Sequence, residues 1–183
     1  LRLRSAREIG TFGSAEAPKP VLQTSRYSYD RKQSGNSKFQ LWVTDLSIVV
    51  PEDQPHAVGL SYAVANMGAV KRVHIQADGD GGQTGLALVQ NNNGPGMIED
   101  VRVDGFSTGL DINDPCGVCF YRKKIQLVNQ KPNGVGLVLS DKVTAIENLR
   151  VQQQHDSVTG VVLCATRSES IYDGVMAFLT LID

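Results

Sequence analysis

The chain has 183 residues, with 19 acidic side chains against 18 Lys and Arg, a formal net charge of −1 and a pI near 6.3. That length holds one domain with a sizeable core, and near-neutrality leaves no electrostatic footprint for nucleic acid or an anionic membrane surface, so neither is expected as a partner. The longest apolar run, "GVMAFLTLI" at 174–182, is well short of the roughly 18 residues of a membrane helix, and three cysteines are too few for a disulfide scaffold.

The chain opens on "LRLRSAREIG", where Leu1 and Leu3 alternate with Arg2 and Arg4 as in a strand, and it closes on "FLTLID", also strand-like. These ends predict a piece of a longer chain, with 1–183 forming part of one domain cut at both ends. Residues 26–39, "RYSYDRKQSGNSKF", are polar and rich in Gly, Ser and Asn, which predicts a surface loop.

A repeat begins at Val43. The pattern apolar, two others, apolar, one other, apolar occurs as "VTDLSI" from Val43, "VKRVHI" from Val70, "IEDVRV" from Ile98 and "IENLRV" from Ile146, with a weaker copy, "RKKIQL", from Arg122. Its central residues Leu46, Val73, Val101, Ile125 and Leu149 are separated by 27, 28, 24 and 24 residues. Each copy is followed by a second column, "VGLSY", "TGLAL", "TGLDI", "VGLVL" and "TGVVL", whose glycines 59, 85, 109, 136 and 160 are separated by 26, 24, 27 and 24. Two columns holding nearly one period mark a repeat architecture. Period-two alternation puts Leu46/Ile48, Val73/Ile75, Val101/Val103, Ile125/Leu127 and Leu149/Val151 on one interior face, and Leu60, Leu86, Leu110, Leu137 and Val161 on another. No helical periodicity separates the columns. The predicted fold is all-β: a single-stranded parallel β-helix of about five recognisable coils with stacked aliphatic files inside. A leucine-rich repeat shares the opening pattern but needs Asn or Cys three residues after its last leucine; this chain has Pro51, Asp78, Phe106, Gln130 and Gln154 there.

"ADGDGGQTGLAL" at 77–88 then reads as the corner between the two columns of one coil, with Gly and Asp supplying turn chemistry. As an EF-hand it fails, because position five would be Gly82 and position twelve Val89. As a dinucleotide loop it has Thr84 where the third glycine belongs. The carboxylates of Asp78 and Asp80 leave a different calcium site open.

The residues that carry a family resemblance are "APKPVLQ" at 17–23, "VTDLSIVV" at 43–50, "HAVGLSYAVANMGAVKRVHIQADGDGGQTGLAL" at 56–88, "IEDVRVDGFSTGLDI" at 98–112 and "IENLRV" at 146–151. From about residue 17 onward the chain resembles the pectate-lyase superfamily, in particular its polygalacturonase-related group, with the exo-β-1,3-glucanase β-helices as more distant relatives. The resemblance implies a right-handed helix, in line with the rule for parallel crossovers, and a secreted or cell-envelope protein that meets polysaccharide. The Asn-Thr-Asp, Asp-Asp, Gly-His-Gly and Arg-Ile-Lys signatures of polygalacturonases are missing from the sequence, so no catalytic residue is carried over.

The outward positions of the first column are Ser47, His74, Arg102, Gln126 and Arg150, followed by Val49, Gln76, Asp104, Val128 and Gln152. His74, Arg102, Asp104, Gln126 and Arg150 are the expected substrate-binding residues: Arg can pair uronate carboxylates, and the others can hydrogen-bond hydroxyls. The alternative is a solvated sheet face. Asp100 and Asp104, then Glu99 and Glu147, are the carboxylates nearest that strip. The outward positions of the second column, Ser61, Ala87, Asp111, Val138 and Val162, are more apolar, which predicts a cover from a partner chain or from further parts of a longer one. Cys116 and Cys119 have half-zinc spacing, but only Cys164 remains to complete a site, so neither metal nor cofactor is expected. The aromatics Trp42, Tyr62, Phe106 and Tyr121 read as scattered, with no stacking row. Two functions follow: a carbohydrate-active enzyme segment supplying scaffold and part of a glycan groove, or a non-catalytic adhesion module or tailspike-like fibre, which would be a homo-oligomer.

Overall fold

The computed structural model describes residues 1–4, 12–25, 38–90, 93–112, 120–140, 143–164 and 178–182. In chain order the strands are β1 (Arg2–Arg4), β2 (Lys19–Gln23), β3 (Trp42–Val50), β4 (Ala57–Ser61), β5 (Ala69–Ala77), β6 (Thr84–Leu88), β7 (Gly96–Asp104), β8 (Thr108–Ile112), β9 (Phe120–Val128), β10 (Val135–Ser140), β11 (Val143–Gln152), β12 (Thr159–Cys164) and β13 (Phe178–Ile182). Among the described residues there is no helix, hence none long and apolar enough to cross a membrane, and the leucine-rich-repeat alternative is set aside. The odd-numbered strands form a seven-stranded sheet in the order β1-β3-β5-β7-β9-β11-β13, and the even-numbered strands a six-stranded sheet in the order β12-β10-β8-β6-β4-β2. Every pairing between these strands is parallel. The result is a β-solenoid of about four turns. The terminal stretches read as strands in the sequence are β1 and β13.

The two apolar columns stack as files. Leu46 pairs with Val73, Val73 with Val101, Val101 with Ile125 and Ile125 with Leu149. On the second sheet Leu60, Leu86, Leu110, Leu137 and Val161 are paired in the same way. All ten belong to, or pack against, one hydrophobic core. The glycines of the second column have a packing role. A Cβ on Gly59 would lie 2.7 Å from the carbonyl oxygen of Gly85, one on Gly85 2.8 Å from that of Gly109, and one on Gly109 2.6 Å from that of Gly136. Each would also press on the facing core or on Gln130. The column is glycine because successive coils approach too closely there for a side chain.

The long strands are bent. In β3, β5, β7, β9 and β11 one residue lies in the left-handed region: Asp45, Arg72, Asp100, Lys124 and Asn148, with φ between 51° and 56°. The ladder skips that residue in each pair; Thr44 pairs with Lys71 and Leu46 with Val73, while Asp45 and Arg72 are passed over. This explains the two-residue gap that opens every copy of the motif. Val43 and Leu46 both face inward although three residues apart, because the turn at Asp45 shifts the alternation.

The outer face of the second sheet departs from expectation. Ser61 is 2% exposed, Ala87 0% and Asp111 8%, and Val58, Ala87 and Val89 form a second buried apolar cluster. These three positions are buried within the chain itself, while Val138 and Val162 are half-buried. The loop expected at 26–39 lies outside the described residues except for Lys38 and Phe39, the latter bridged in parallel to Ala65.

The glycine stack gives a paired test. Gly85→Ala inserts a methyl against the Gly109 carbonyl and the core and should lower stability by about 1–3 kcal/mol, as overpacking does. Gly160→Ala meets nothing closer than 3.5 Å and should be tolerated. Denaturant unfolding of the two variants checks both, and equal midpoints would refute the packing account.

Candidate functional site

The outward residues of the long strands form files because the ladder is in register. Ser47 pairs with His74, His74 with Arg102, Arg102 with Gln126 and Gln126 with Arg150; β1 adds Arg2 beside Ser47. The neighbouring file runs Val49, Gln76, Asp104, Val128 and Gln152. All five residues expected to bind substrate therefore share one face. The second file is less polar in use than its sequence suggested, since Val49 and Val128 are each 2% exposed.

Arg102 organises the middle of this face. One terminal nitrogen donates to Asp104 Oδ2 at 2.8 Å, and the other to Gln126 Oε1 at 3.3 Å. Asp104 also accepts from Asn129 Nδ2 at 3.0 Å through its second oxygen. Arg150 donates to Gln152 Oε1 at 2.9 Å, and Gln76 to Asp78 Oδ1 at 3.0 Å. His74 sits half-buried in the file, with Nε2 buried and without a protein hydrogen-bond partner. Burial first, and then the Arg102 guanidinium, push its pKa below the ordinary imidazole value against the opposing pull of Asp104. The shift favours the neutral ring. A shallow hollow beside it is lined by Asp45, Ser47, Arg72, His74, Asp100 and Arg102, among others.

The four carboxylates that could have served as acid and base are each held by a cation. Lys71 Nζ lies 2.9 Å from Glu99, Lys123 2.7 Å from Glu147, Lys124 3.0 Å from Asp100, and Arg102 2.8 Å from Asp104. Hydrogen bonds from Lys71 hold Glu99 below the usual carboxylate range, and those from Lys123 and then Tyr121 do the same for Glu147. With the Asp45–Arg72 fork at 2.5 and 2.7 Å, the ion pairs climb the solenoid: Asp45–Arg72, Lys71–Glu99, Asp100–Lys124, Lys123–Glu147. One pair spans each coil junction from β3 to β11, alternating between the left-handed corner position and the residue before it. Such pairs were not foreseen, yet the sequence signal exists in the charges of "TD", "KR", "ED", "KK" and "EN" at the corner.

At the 77–88 corner, β5 ends at Ala77 and β6 begins at Thr84, as expected. Lys131 Nζ donates to the carbonyl oxygens of Asp80 at 2.5 Å and Gly82 at 3.0 Å, so an ammonium sits on the oxygens that face this corner. Burial lowers the pKa of that lysine while Asp80 opposes the shift. Among the described residues no three His, Cys, Asp or Glu side chains gather into a metal site. Cys116 and Cys119 lie outside the described residues.

The four aromatics divide between core and surface. Tyr62 and Phe106 are core residues, fully buried, with the Tyr62 hydroxyl donating to the Leu41 carbonyl at 2.7 Å and its pKa pushed up by burial. Trp42 and Tyr121, by contrast, lie in one register file: Trp42 pairs with Ala69, Ala69 with Met97 and Met97 with Tyr121. They are 60% and 49% exposed. Sequence reading missed this because the file lies one residue before the motif begins.

His74 gives a pH prediction. Its folded pKa is below the unfolded value near 6.5, so between the two the unfolded chain binds more protons. Stability contributed here is complete above about pH 6.5 and falls as pH drops through that window. The denaturant midpoint should be lower at pH 5.5 than at pH 7.5, and His74→Gln should reduce the difference. The same pH dependence in both proteins would exclude His74 as its source.

No family model, curated protein or solved structure matches the chain.

Proposed function

We propose that this chain is the β-helix segment of a secreted or cell-envelope carbohydrate-active protein of pectate-lyase-superfamily type, right-handed and with about five coils counted on the motif column. Its role is to supply scaffold and a glycan-binding face made of His74, Arg102, Asp104, Gln126 and Arg150. The observation that carries this reading is the register: a polar side chain recurs at the same outward position at every strand step. Strand steps are about 4.8 Å, and a pyranose unit in an extended chain advances by a similar distance, so a glycan along the axis meets one polar residue per sugar. Arg150, which donates to the neutral Gln152, suits it to uronate carboxylates, and Arg102 would share its guanidinium between Asp104 and such a group.

The ion pairing favours binding over cleavage at this face. Glycoside hydrolysis needs two carboxyl groups free to act as acid and as base or nucleophile, and Asp100, Asp104, Glu99 and Glu147 each neutralise a Lys or Arg. A non-catalytic adhesion module or homo-oligomeric fibre segment is therefore the second reading, and for this stretch it has that specific support.

Calorimetry with an oligogalacturonate tests the face. Arg102→Ala combined with Arg150→Ala should weaken binding about tenfold, which is about 1.4 kcal/mol, with a larger loss at low salt where attraction is least screened. Binding unaffected by the double substitution would refute the proposed face. Steady product formation from pectic substrate, abolished by Asp104→Asn, would show that the face cleaves as well as binds.

A further inference from the structure

Among the described residues five large apolar side chains are exposed, and four of them, Phe39, Trp42, Met67 and Tyr121, lie where the chain enters the long strands. Met67 is held outward by a backbone φ of 78°, a conformation that non-glycine residues avoid. Trp42, Ala69, Met97 and Tyr121 occupy one register position in four successive coils. Ala69 is buried, so the members of the file that reach the surface are Trp42, Met97 and Tyr121. The Tyr121 hydroxyl donates to Glu147 Oε2 at 2.7 Å, which fixes the ring. Two residues further along the same leg of each strand runs the file of Lys71, Glu99, Lys123 and Glu147, whose charges cancel in pairs.

We propose that the file Trp42–Met97–Tyr121 is a second binding surface, for a neutral, extended polysaccharide lying along the solenoid axis. The proposal rests on the carbohydrate reading above but uses none of the residues of the polar face. Three features select this occupant. First, the apolar surface of the file is small. Aromatic side chains bury about 150–250 Å² each, so the file offers a few hundred Å², below the roughly 800 Å² that each partner contributes to a stable protein interface. Second, the spacing suits a polymer of sugars: Trp42 and Tyr121 are three strand steps apart, about 14 Å, close to three pyranose units. Third, the flanking charges are already paired, so they attract no net charge and leave carboxylate and ammonium edges to hydrogen-bond hydroxyls. Sugar rings present apolar C–H faces to the flat rings and hydroxyls to that flanking file.

Trp42 is the only tryptophan in the chain, so its emission reports on this file directly. A neutral β-linked gluco-oligosaccharide of six units should shift that emission saturably. Tyr121→Ala should weaken the titration about tenfold, Tyr121→Phe should leave it within about twofold, and the Arg102→Ala/Arg150→Ala protein should titrate like the parent. Absence of a saturable shift with neutral oligosaccharides overturns the proposal, as does a shift abolished by the arginine substitutions. A shift that follows protein concentration without sugar, together with a rise in mass by light scattering, overturns it in favour of a second copy of the chain. Failure of oligogalacturonate to bind while the neutral titration persists would refute the polar face and support this one.

Discussion

Parallel, in-register stacking constrains everything else in this molecule. The strands of a middle coil bond to the coil before and the coil after, so a bend in one coil must be repeated at the same position in its neighbours. That is why Asp45, Arg72, Asp100, Lys124 and Asn148 share one left-handed conformation although only the Asp and Asn members favour it. An Arg or Lys there is strained locally, and the ladder on both sides holds it in place. The strain is accompanied by use: the corner side chains project where coils meet, and two of the four ion pairs that climb the solenoid start from them. The glycine column answers the same constraint from the other sheet, where the coils come closest.

Among the described residues, the inward position that opens each motif copy departs from the aliphatic rule at Arg122. Arg122 is in register with Ile98 and is 6% exposed, so a guanidinium occupies a position that the other coils give to Val43, Val70, Ile98 and Ile146. This is the physical content of the weak motif copy at "RKKIQL". Burying an arginine carries a desolvation cost that good partners must offset, and Arg122 does have partners. Elsewhere side-chain amides extend the ladder past its ends. Asn93 accepts from the Val64 amide at 2.9 Å and donates to the Tyr62 carbonyl at 2.9 Å, supplying the two bonds that a strand residue would have made. Gln54 accepts from the amide of Phe12, tying the stretch before β2 to the β3–β4 corner.

The parts of this architecture that depend on burial were legible in the sequence. Burial with period two leaves an alternating trace, and two such traces at one period gave the β-solenoid, the interior files and the outward partners of Ser47, His74, Arg102, Gln126 and Arg150. The features that depend on backbone conformation left fainter marks. The corner at Asp45 was written in the three-residue step from Val43 to Leu46, which alternation alone does not permit, and in the recurrence of Asp or Asn one residue before the central aliphatic. The burial of Ser61, Ala87 and Asp111 could not be read, because nothing local in "GLSY", "GLAL" and "GLDI" says that the chain covers that face. The aromatic file was hidden for another reason. Trp42 and Tyr121 are separated by positions occupied by Ala69 and Met97, and only the register aligns all four.

The corner also decides how the outer surface is divided. Each long strand bends at its left-handed residue, so the leg before it and the leg after it face different directions. The first leg carries Trp42, Met97 and Tyr121 beside self-neutralised charges; the second carries His74, Arg102, Gln126 and Arg150, with Arg102 held by Asp104. Both surfaces run along the same axis with the same step, because both inherit the strand spacing. They differ in chemistry because the corner separates them: the paired charges of Lys71, Glu99, Lys123 and Glu147 belong to the first leg, and the fork of Arg102 on Asp104 and Gln126 belongs wholly to the second. One backbone conformation, repeated coil after coil, thus gives this solenoid two parallel outer files of different chemistry.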